Sequence, residues 1–289
     1  MDAPMEPSDV FRFFETVRVK ELAAFRALCN ALKALVIDRA TSAWRSASKG
    51  RLSVLDLGCG RGGDLRKWAR YRLKSYVGVD GAARCVQEAR ERQRALLAQG
   101  KSSLEASFHV ADLTRTPIPA ADASVDIVSC MFFLQFAFGS EASAEHALSE
   151  VRRVLRPNGL ICAVVPDGDR AVQLLGDRRT QIPFGHFRLK KLQAPRDPQP
   201  EPFGIGYYFS LVNEACSEYV VSSKWLAARL SAQGFLPVEG SEGFFEPAQR
   251  FFSRCAESEV ARCMLRDQRC SHVDWLSLGF FSVLLARLE

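Results

Sequence analysis

Two carboxylates bracket a glycine turn in Val54-Leu55-Asp56-Leu57-Gly58-Cys59-Gly60-Arg61-Gly62-Gly63-Asp64. The apolar start reads as a strand. The glycines admit backbone angles closed to other residues and let a ligand approach the main chain. The segment from Asp64 to Trp68 reads as a helix whose N-terminal amides face that ligand. Gly58, Gly60 and Gly63 satisfy the pattern G-x-G-x-x-G, which alone specifies no cofactor. The flanking acids discriminate: a pyrophosphate seated at this helix start would be repelled by Asp56 and Asp64, whereas a cationic centre would be stabilised.

Two further acids extend the argument. Ser75 to Asp80 reads as a second strand, ending in a carboxylate a little over 20 residues past Gly58, where doubly wound folds hold ribose hydroxyls. A third strand, Phe108 to Asp112, ends in an acid suited to an adenine amino group. S-adenosylmethionine is a nucleoside with a sulfonium and an amino group and no phosphate, so it fits where a dinucleotide does not. A methyl-donor site is therefore expected on Asp56, Gly58, Gly60, Asp64, Asp80 and Asp112.

The elements that must position these residues alternate. Apolar residues at three- and four-residue spacing (Leu22, Phe25, Leu28, Leu32, Leu35, Val36) predict helix from about Asp9 to Arg45, within an N-terminal helical region 1–50. Helix is expected again over Ala82–Leu97, Glu141–Leu155 and Ser223–Gln233. Strands are expected over Val125–Cys130, Leu160–Val165 and Phe280–Leu285, with Arg156-Pro157-Asn158-Gly159 as a stop. This βαβ alternation implies a parallel sheet with helices on both faces. Residues 166–221 break the pattern with prolines, arginines and one alternating segment, Phe203–Leu211. Such an insertion beyond a strand end lies over the ligand crevice and shapes the acceptor pocket.

The chain has 289 residues, 47% of them hydrophobic, which suits one methyltransferase-sized domain spanning 1–289. No run of 18 apolar residues and no secretory signal is found, so a soluble intracellular protein without a membrane partner is expected. The nine cysteines form no C-x-x-C pair and no histidine cluster joins them, which points to neither zinc nor disulfides and to no metal. The net charge of +6 permits an anionic partner without demonstrating one. Arg188, Lys190 and Lys191 read as an exposed charged face, and His109, His146, His186 and His272 share no motif spacing.

The run from Val54 through Asp64-Leu65-Arg66-Lys67-Trp68 resembles the signature of messenger-RNA cap guanine-N7 methyltransferases. Asn30-Ala31-Leu32-Lys33 is similar to that family's N-N-W-x-K helix, and Ser129 to Phe138 resembles its S-C-Q-F-x-x-H-Y-x-F segment. Phe203-Gly204 through Tyr207, Phe209 and Leu211, then Glu218-Tyr219-Val220, resembles F-G-x-x-Y-x-F-x-L and E-[FY]-x-V. Trp275 to Leu284 is similar to the C-terminal strand. The resemblance implies a class I methyltransferase (Rossmann-like) fold, a mostly parallel seven-stranded sheet.

By the same resemblance, donor contacts fall on Lys33, Gly58, Asp64, Asp80, Asp112 and Met131, the last standing where the family has Gln. Contacts to the cap triphosphate fall on Arg61 and Arg92. The guanine pocket falls on Phe132, Gln135, Phe136, Pro166, Glu218 and Phe281, with Cys29 and Asn30 as further cap-binding residues. The family's His-Tyr pair is Gln135-Phe136 here, its C-terminal Tyr is Phe281, and the first Asn of its N-N pair is Cys29. Apolar enclosure survives the Tyr-to-Phe changes and the phenolic hydrogen bonds do not. The family's N-terminal aromatic segment has no direct match, and Phe11, Phe13 and Phe14 are the candidates to replace it.

The resemblance implies methyl transfer from S-adenosylmethionine to N7 of the 5' cap guanosine of RNA, by in-line attack, with Glu218 acting through orientation and electrostatics. It further implies capped RNA as partner, other capping enzymes as associates, a nuclear location and a monomer. Two other functions remain open on the residues: a methyltransferase for a different acceptor, and a cap-binding regulatory module of low activity.

Overall fold

The computed structural model describes residues 4–16, 22–100, 104–176, 180–192, 202–211, 214–239, 241, 243–255, 257–265 and 270–289. The N-terminal region forms two helices, α1 (Pro7–Thr16) and α2 (Ala23–Ala47). The strand β1 (Leu52–Leu57) is buried at every position, as a central parallel strand covered on both faces must be. Its side chains alternate: Leu52 and Val54 join the core under α2, whereas Leu55 and Leu57 join the core on the opposite face. Leu28, Leu32, Val36 and Ile37 of α2 are wholly buried, each contributing about 1.5–3 kcal/mol relative to exposure.

Short helix α3 (Leu65–Trp68), β2 (Leu73–Asp80), α4 (Ala83–Ala98), β3 (Ala106–Val110) and β4 (Val125–Met131) follow, then a 3₁₀ turn at Leu134–Gly139 and α5 (Glu141–Val154). The Ser140 side chain caps α5 by accepting from the Ser143 amide at 3.2 Å. The expected stop at Arg156–Gly159 does end the helix, but it inserts no separate loop. β5 (Leu155–Pro166) starts at once, and its pairing jumps from Val125↔Leu155 to Ile127↔Leu160 across a bulge in which Asn158 has φ 63°.

The inserted segment holds more than the single strand its pattern suggests. After α6 (Gly168–Leu175), β6 (Gln181–Phe184), β7 (Phe187–Lys191), β8 (Gly206–Leu211) and β9 (Glu214–Tyr219) form a separate four-stranded antiparallel sheet. The proline-rich stretch 193–201 lies outside the described residues. The chain ends with α7 (Ser223–Ala232), β10 (Phe235–Pro237), β11 (Phe245–Pro247), α8 (Ala248–Cys255), α9 (Glu259–Leu265), α10 (His272–Leu278) and β12 (Phe281–Leu288).

The main sheet runs β10-β12-β5-β4-β1-β2-β3, with β1 to β5 mutually parallel and β12 antiparallel to β5. Their number is the seven that the resemblance implied; six lie where the sequence placed strands, β10 was not anticipated, and the three-residue β11 adds an eighth by pairing with β12. Strand order reverses between β1 and β4, so ligands are expected outside the carboxyl ends of these strands. No helix among the described residues is long and apolar enough to cross a membrane.

Candidate active site

The turn leaving β1 is pinned by Gly58 and Cys59, whose amides donate to the Val79 carbonyl at 2.8 and 3.1 Å. Gly58 has φ +70°, and a Cβ there would stand 2.8 Å from Phe133 Cβ, so both the angle and the space require glycine. Above the turn lies a cavity of about 280 Å³. The sheet contributes Gly58, Gly60, Asp80, Asp112 and Met131 to its wall. The N-terminal helix contributes Phe11 and Phe14, whereas Phe13 packs edge-on against Phe14 at 5.2 Å.

Asp80 is held rigidly: Oδ2 accepts from the Gly60 amide at 2.8 Å and Oδ1 from Ala82 at 2.9 Å. Burial nonetheless raises its carboxyl above the ordinary range. Asp112 Oδ1 accepts from the Thr114 amide and hydroxyl at 3.0 and 2.6 Å, while Oδ2 has Arg115 at 4.0 Å. Both acids retain lone pairs for a ligand's hydroxyl or amino donors.

A buried charge cluster sits beside the turn. Asp64 receives Lys33 Nζ at 2.9 Å on Oδ2 and Lys67 Nζ at 2.5 Å on Oδ1. Lys67 also donates to Asn30 Oδ1 at 2.9 Å, which ties α3 to α2. Burial pushes Asp64 upward, but the two ammonium groups overcome it and hold the carboxyl below its ordinary range. Lys67 was not among the residues singled out from sequence. Its role depends on α2 meeting α3, which no local pattern reports.

Asp56 takes a different position from its neighbour. Its carboxylate is buried beneath the turn, accepts the Tyr76 hydroxyl at 2.5 Å and does not line the cavity; burial pushes it up to about 7. Arg61 lines the cavity, yet its guanidinium donates to the Phe14 and Glu15 carbonyls at 2.6 and 3.1 Å and pairs with Glu88 at 3.0 Å. It fastens α1 to α4. Arg92 is exposed on α4, with its guanidinium beside Gly63.

The residues assigned to a base pocket gather next to the cavity. Phe132 follows β4 with φ 63°, an uncommon angle for a bulky residue and a cost of order 1–3 kcal/mol, held by its amide donating to Val164 O at 2.8 Å. Its ring lines the cavity and meets the Phe281 ring edge-on at 5.0 Å. Phe281 pairs with Pro166 across β12 and β5. Phe136 lines the cavity and meets Phe14 at 5.7 Å.

Glu218 is 7% exposed, accepts the Tyr207 hydroxyl at 3.0 Å on Oε2, and has Gln135 Nε2 at 3.5 Å from Oε1. Burial pushes its carboxyl up to about 7, although both hydrogen bonds pull the other way. Gln135 Nε2 also donates to Phe132 O at 3.0 Å, and its Oε1 is buried without a partner. Such an acceptor in a low-dielectric wall calls for a donor. On α2, Asn30 is engaged by Lys67, and burial pushes the Cys29 thiol up to about 12. Tyr219, from the Glu218-Tyr219-Val220 match, also lines the cavity, as do Ser217, Gly81, Cys85 and Thr114, which no sequence signal isolates.

Comparison with known proteins gives the family and the fold. Residues 15–233 match the mRNA (guanine-N(7))-methyltransferase domain. The mRNA cap guanine-N(7) methyltransferase of Schizosaccharomyces pombe is 30% identical over 198 residues, covering 65% of this chain and 53% of that protein. The Caenorhabditis elegans protein of the same name is 34% identical over 206 residues, covering 68% and 53%. The chain thus spans about half the length of these curated relatives. Among solved structures, an S-adenosylmethionine-dependent methyltransferase from Clostridium acetobutylicum superposes with a TM-score of 0.56 at 11% identity, covering 97% of this chain and 98% of that one. The CcbJ methyltransferase of Streptomyces caelestis gives 0.56 at 13%, covering 90% and 89%; both establish the fold alone. With the domain match spanning most of its length, this chain belongs to the mRNA (guanine-N(7))-methyltransferase domain family.

Proposed function

We propose that the chain transfers a methyl group from S-adenosylmethionine to N7 of the 5' cap guanosine of RNA. The observation that carries this reading is the position of Phe132, which borders the cavity over the glycine turn, meets the Phe281 ring, and accepts at its carbonyl from Gln135, the residue that faces Glu218. A donor and a base can thereby share one boundary.

S-adenosylmethionine supplies a methyl group on a cationic sulfur. The residues present fit it. Asp80, fixed by two backbone amides, is suited to the ribose hydroxyls and Asp112 to the adenine amino group. Gly58 and Gly60 leave room for the nucleoside against the main chain, with Met131 alongside. Lys33 and Asp64 form an oppositely charged pair matched to the carboxylate and amino group of the donor's amino-acid end.

Guanine N7 carries an exposed lone pair at neutral pH, so attack requires no prior loss of a proton and no general base. Alignment is the enzyme's main task, and up to roughly 7–11 kcal/mol is available from orientation and avoided solvent reorganisation. Glu218, with one oxygen steadied by Tyr207, is suited to accept from guanine N1–H and the 2-amino group. Its negative charge also favours the positive charge developing on the ring. Phe132, Phe136 and Phe281 supply apolar enclosure, and Arg92 is suited to the cap phosphates. Capped RNA as substrate, association with other capping enzymes, action as a monomer and a nuclear location belong to the same proposal.

The test offers labelled S-adenosylmethionine with Gppp-capped RNA, the same RNA uncapped, and free GTP. The proposal expects capped RNA to be labelled far more than uncapped RNA. Equal labelling of capped and uncapped RNA, or none of the capped RNA, would reject it.

A further inference from the structure

The chain's positive charge is unevenly placed. Between Arg39 and Ser75 there are ten lysines and arginines against two acids, Asp56 and Asp64, an excess of eight in a chain whose total is +6. The other residues together are therefore slightly acidic.

Folding exposes most of this excess on one side. Arg66 and Arg70, one helical turn apart on α3 and the turn after it, point outward while Leu65 and Trp68 are buried. At the upper end this side meets Gly63 and Arg92, the residue suited to the cap phosphates. At the lower end, β1 and β2 start side by side through Leu52↔Leu73 pairing, and Arg51, Arg72 and Lys74 emerge there. Arg51 donates two hydrogen bonds to the Leu73 carbonyl, at 3.0 and 2.7 Å, which fix it without neutralising its charge. Arg45 from the end of α2 lies over the Tyr71 ring at 5.6 Å, and exposed Lys49 precedes β1.

Among the described residues none of Arg45, Lys49, Arg51, Arg66, Arg70, Arg72 and Lys74 has an ion pair. The bordering acids are Asp38, which accepts the Tyr71 hydroxyl, exposed Glu105, and Asp126, paired with Arg156 at 2.9 Å. The six residues of β1, at about 3.3 Å rise each, put the two ends roughly 20 Å apart.

We propose that this basic lane, from Arg92 and Gly63 over Arg66 and Arg70 to Arg51, Arg72 and Lys74, is the track for the RNA chain that follows the cap. It rests on the reading of capped RNA as acceptor and extends it beyond the cap. Exposed cations hold phosphates and not sequence, so the track is blind to the identity of the bases. An acidic protein segment is the competing occupant.

The test is the triple variant Arg70→Glu, Arg72→Glu, Lys74→Glu, all exposed and outside the methyl-transfer site. Two substrates are compared, the GpppG dinucleotide and a capped RNA of about 12 nucleotides, and direct binding of the uncapped RNA is followed by fluorescence anisotropy across salt concentrations. Expected are an unchanged KM for the dinucleotide, a KM for capped RNA raised about tenfold, and a log–log salt slope for RNA binding smaller by about 2, since each single-strand phosphate contact contributes about 0.7. The neutral pair Arg70→Gln, Lys74→Gln gives a smaller change of the same sign if the charge reversal compromises folding. Unchanged RNA affinity and slope, or an equal KM rise for the dinucleotide, would overturn the track. If the wild type methylates neither substrate, the cap reading fails, and the anisotropy arm still decides whether this face binds RNA.

Discussion

Glu218→Gln separates charge from shape at the proposed base pocket. Glu218 is 7% exposed, and burial moves its carboxyl from 4.5 to about 7. At about 1.4 kcal/mol per pH unit, burial disfavours the ionised form by roughly 3.5 kcal/mol relative to an exposed carboxylate, so that in the free protein at pH 7 the group is about half ionised. An arriving guanine offers two N–H donors, and a hydrogen bond to a charged group is worth about 1.5–3 kcal/mol. The base therefore offsets the cost and pulls the ionised form into the complex. The amide variant keeps the volume and loses the charge, so kcat/KM for capped RNA should fall about 10- to 150-fold while affinity for S-adenosylhomocysteine is kept.

The pH dependence carries a sign. A carboxyl raised to about 7 is protonated below that pH, so kcat/KM in the wild type should climb nearly tenfold between pH 6 and 8 and then level. Glu218→Gln should remove that step. Asp56 is also pushed up to about 7, but it lies beneath the turn, and Asp56→Asn should leave the step in place. Persistence of the full step in Glu218→Gln would refute the assignment. The same shift makes stability fall with rising pH: a buried acid that binds its proton more tightly when folded destabilises the fold progressively from about pH 4.5 to 7, and the variant should have a shallower slope, since Asp56 and Asp80 keep their own contributions.

Two other predictions address the donor side. In Gly81→Ala the new Cβ would overlap the Phe11 ring, so that ring must turn out of its place in the cavity wall or α1 must shift. At an overpacking cost of about 1–3 kcal/mol, donor affinity should drop at least about fivefold, with faster amide exchange in residues 7–16; wild-type affinity would show that α1 does not cover the donor. Lys67→Met leaves Asp64 buried with Lys33 alone. Breaking a buried pair costs about 3–5 kcal/mol, and the surviving lysine points to the lower end, read by chemical denaturation. A loss under about 1 kcal/mol would mean that Lys33 suffices.

The glycine turn was legible because its conformation is local: Gly58, Gly60 and Gly62, which bend the backbone under the cavity, lie within one short run. Helix α4 and strand β4 matched their patterns for the same reason. The second sheet was not legible beyond one strand. β6 and β7 are short, β7 carries Arg188, Lys190 and Lys191, and the sheet forms only when β7 pairs with β8 across the stretch 193–201. The partners of Arg61 were equally hidden, since Phe14 and Glu15 precede it by more than 40 residues and reach it only when α1 folds back on α4. Phe11 and Phe14 could be named as aromatic candidates, yet which of three phenylalanines faces the cavity was fixed by α1 docking. Glu218 stood in a polar stretch with nothing but the family resemblance to mark it. Its burial comes from Tyr207 and Gln135, which arrive from two other elements.

The most direct test locates the transferred methyl group. Capped RNA methylated with labelled S-adenosylmethionine is digested to nucleosides and intact cap structures, and the labelled product is identified by chromatography and mass spectrometry. The account predicts that the label is found in N7-methylguanosine joined through the triphosphate bridge. Label on a ribose hydroxyl, on an internal base, or on the guanine at a position other than N7 would contradict it.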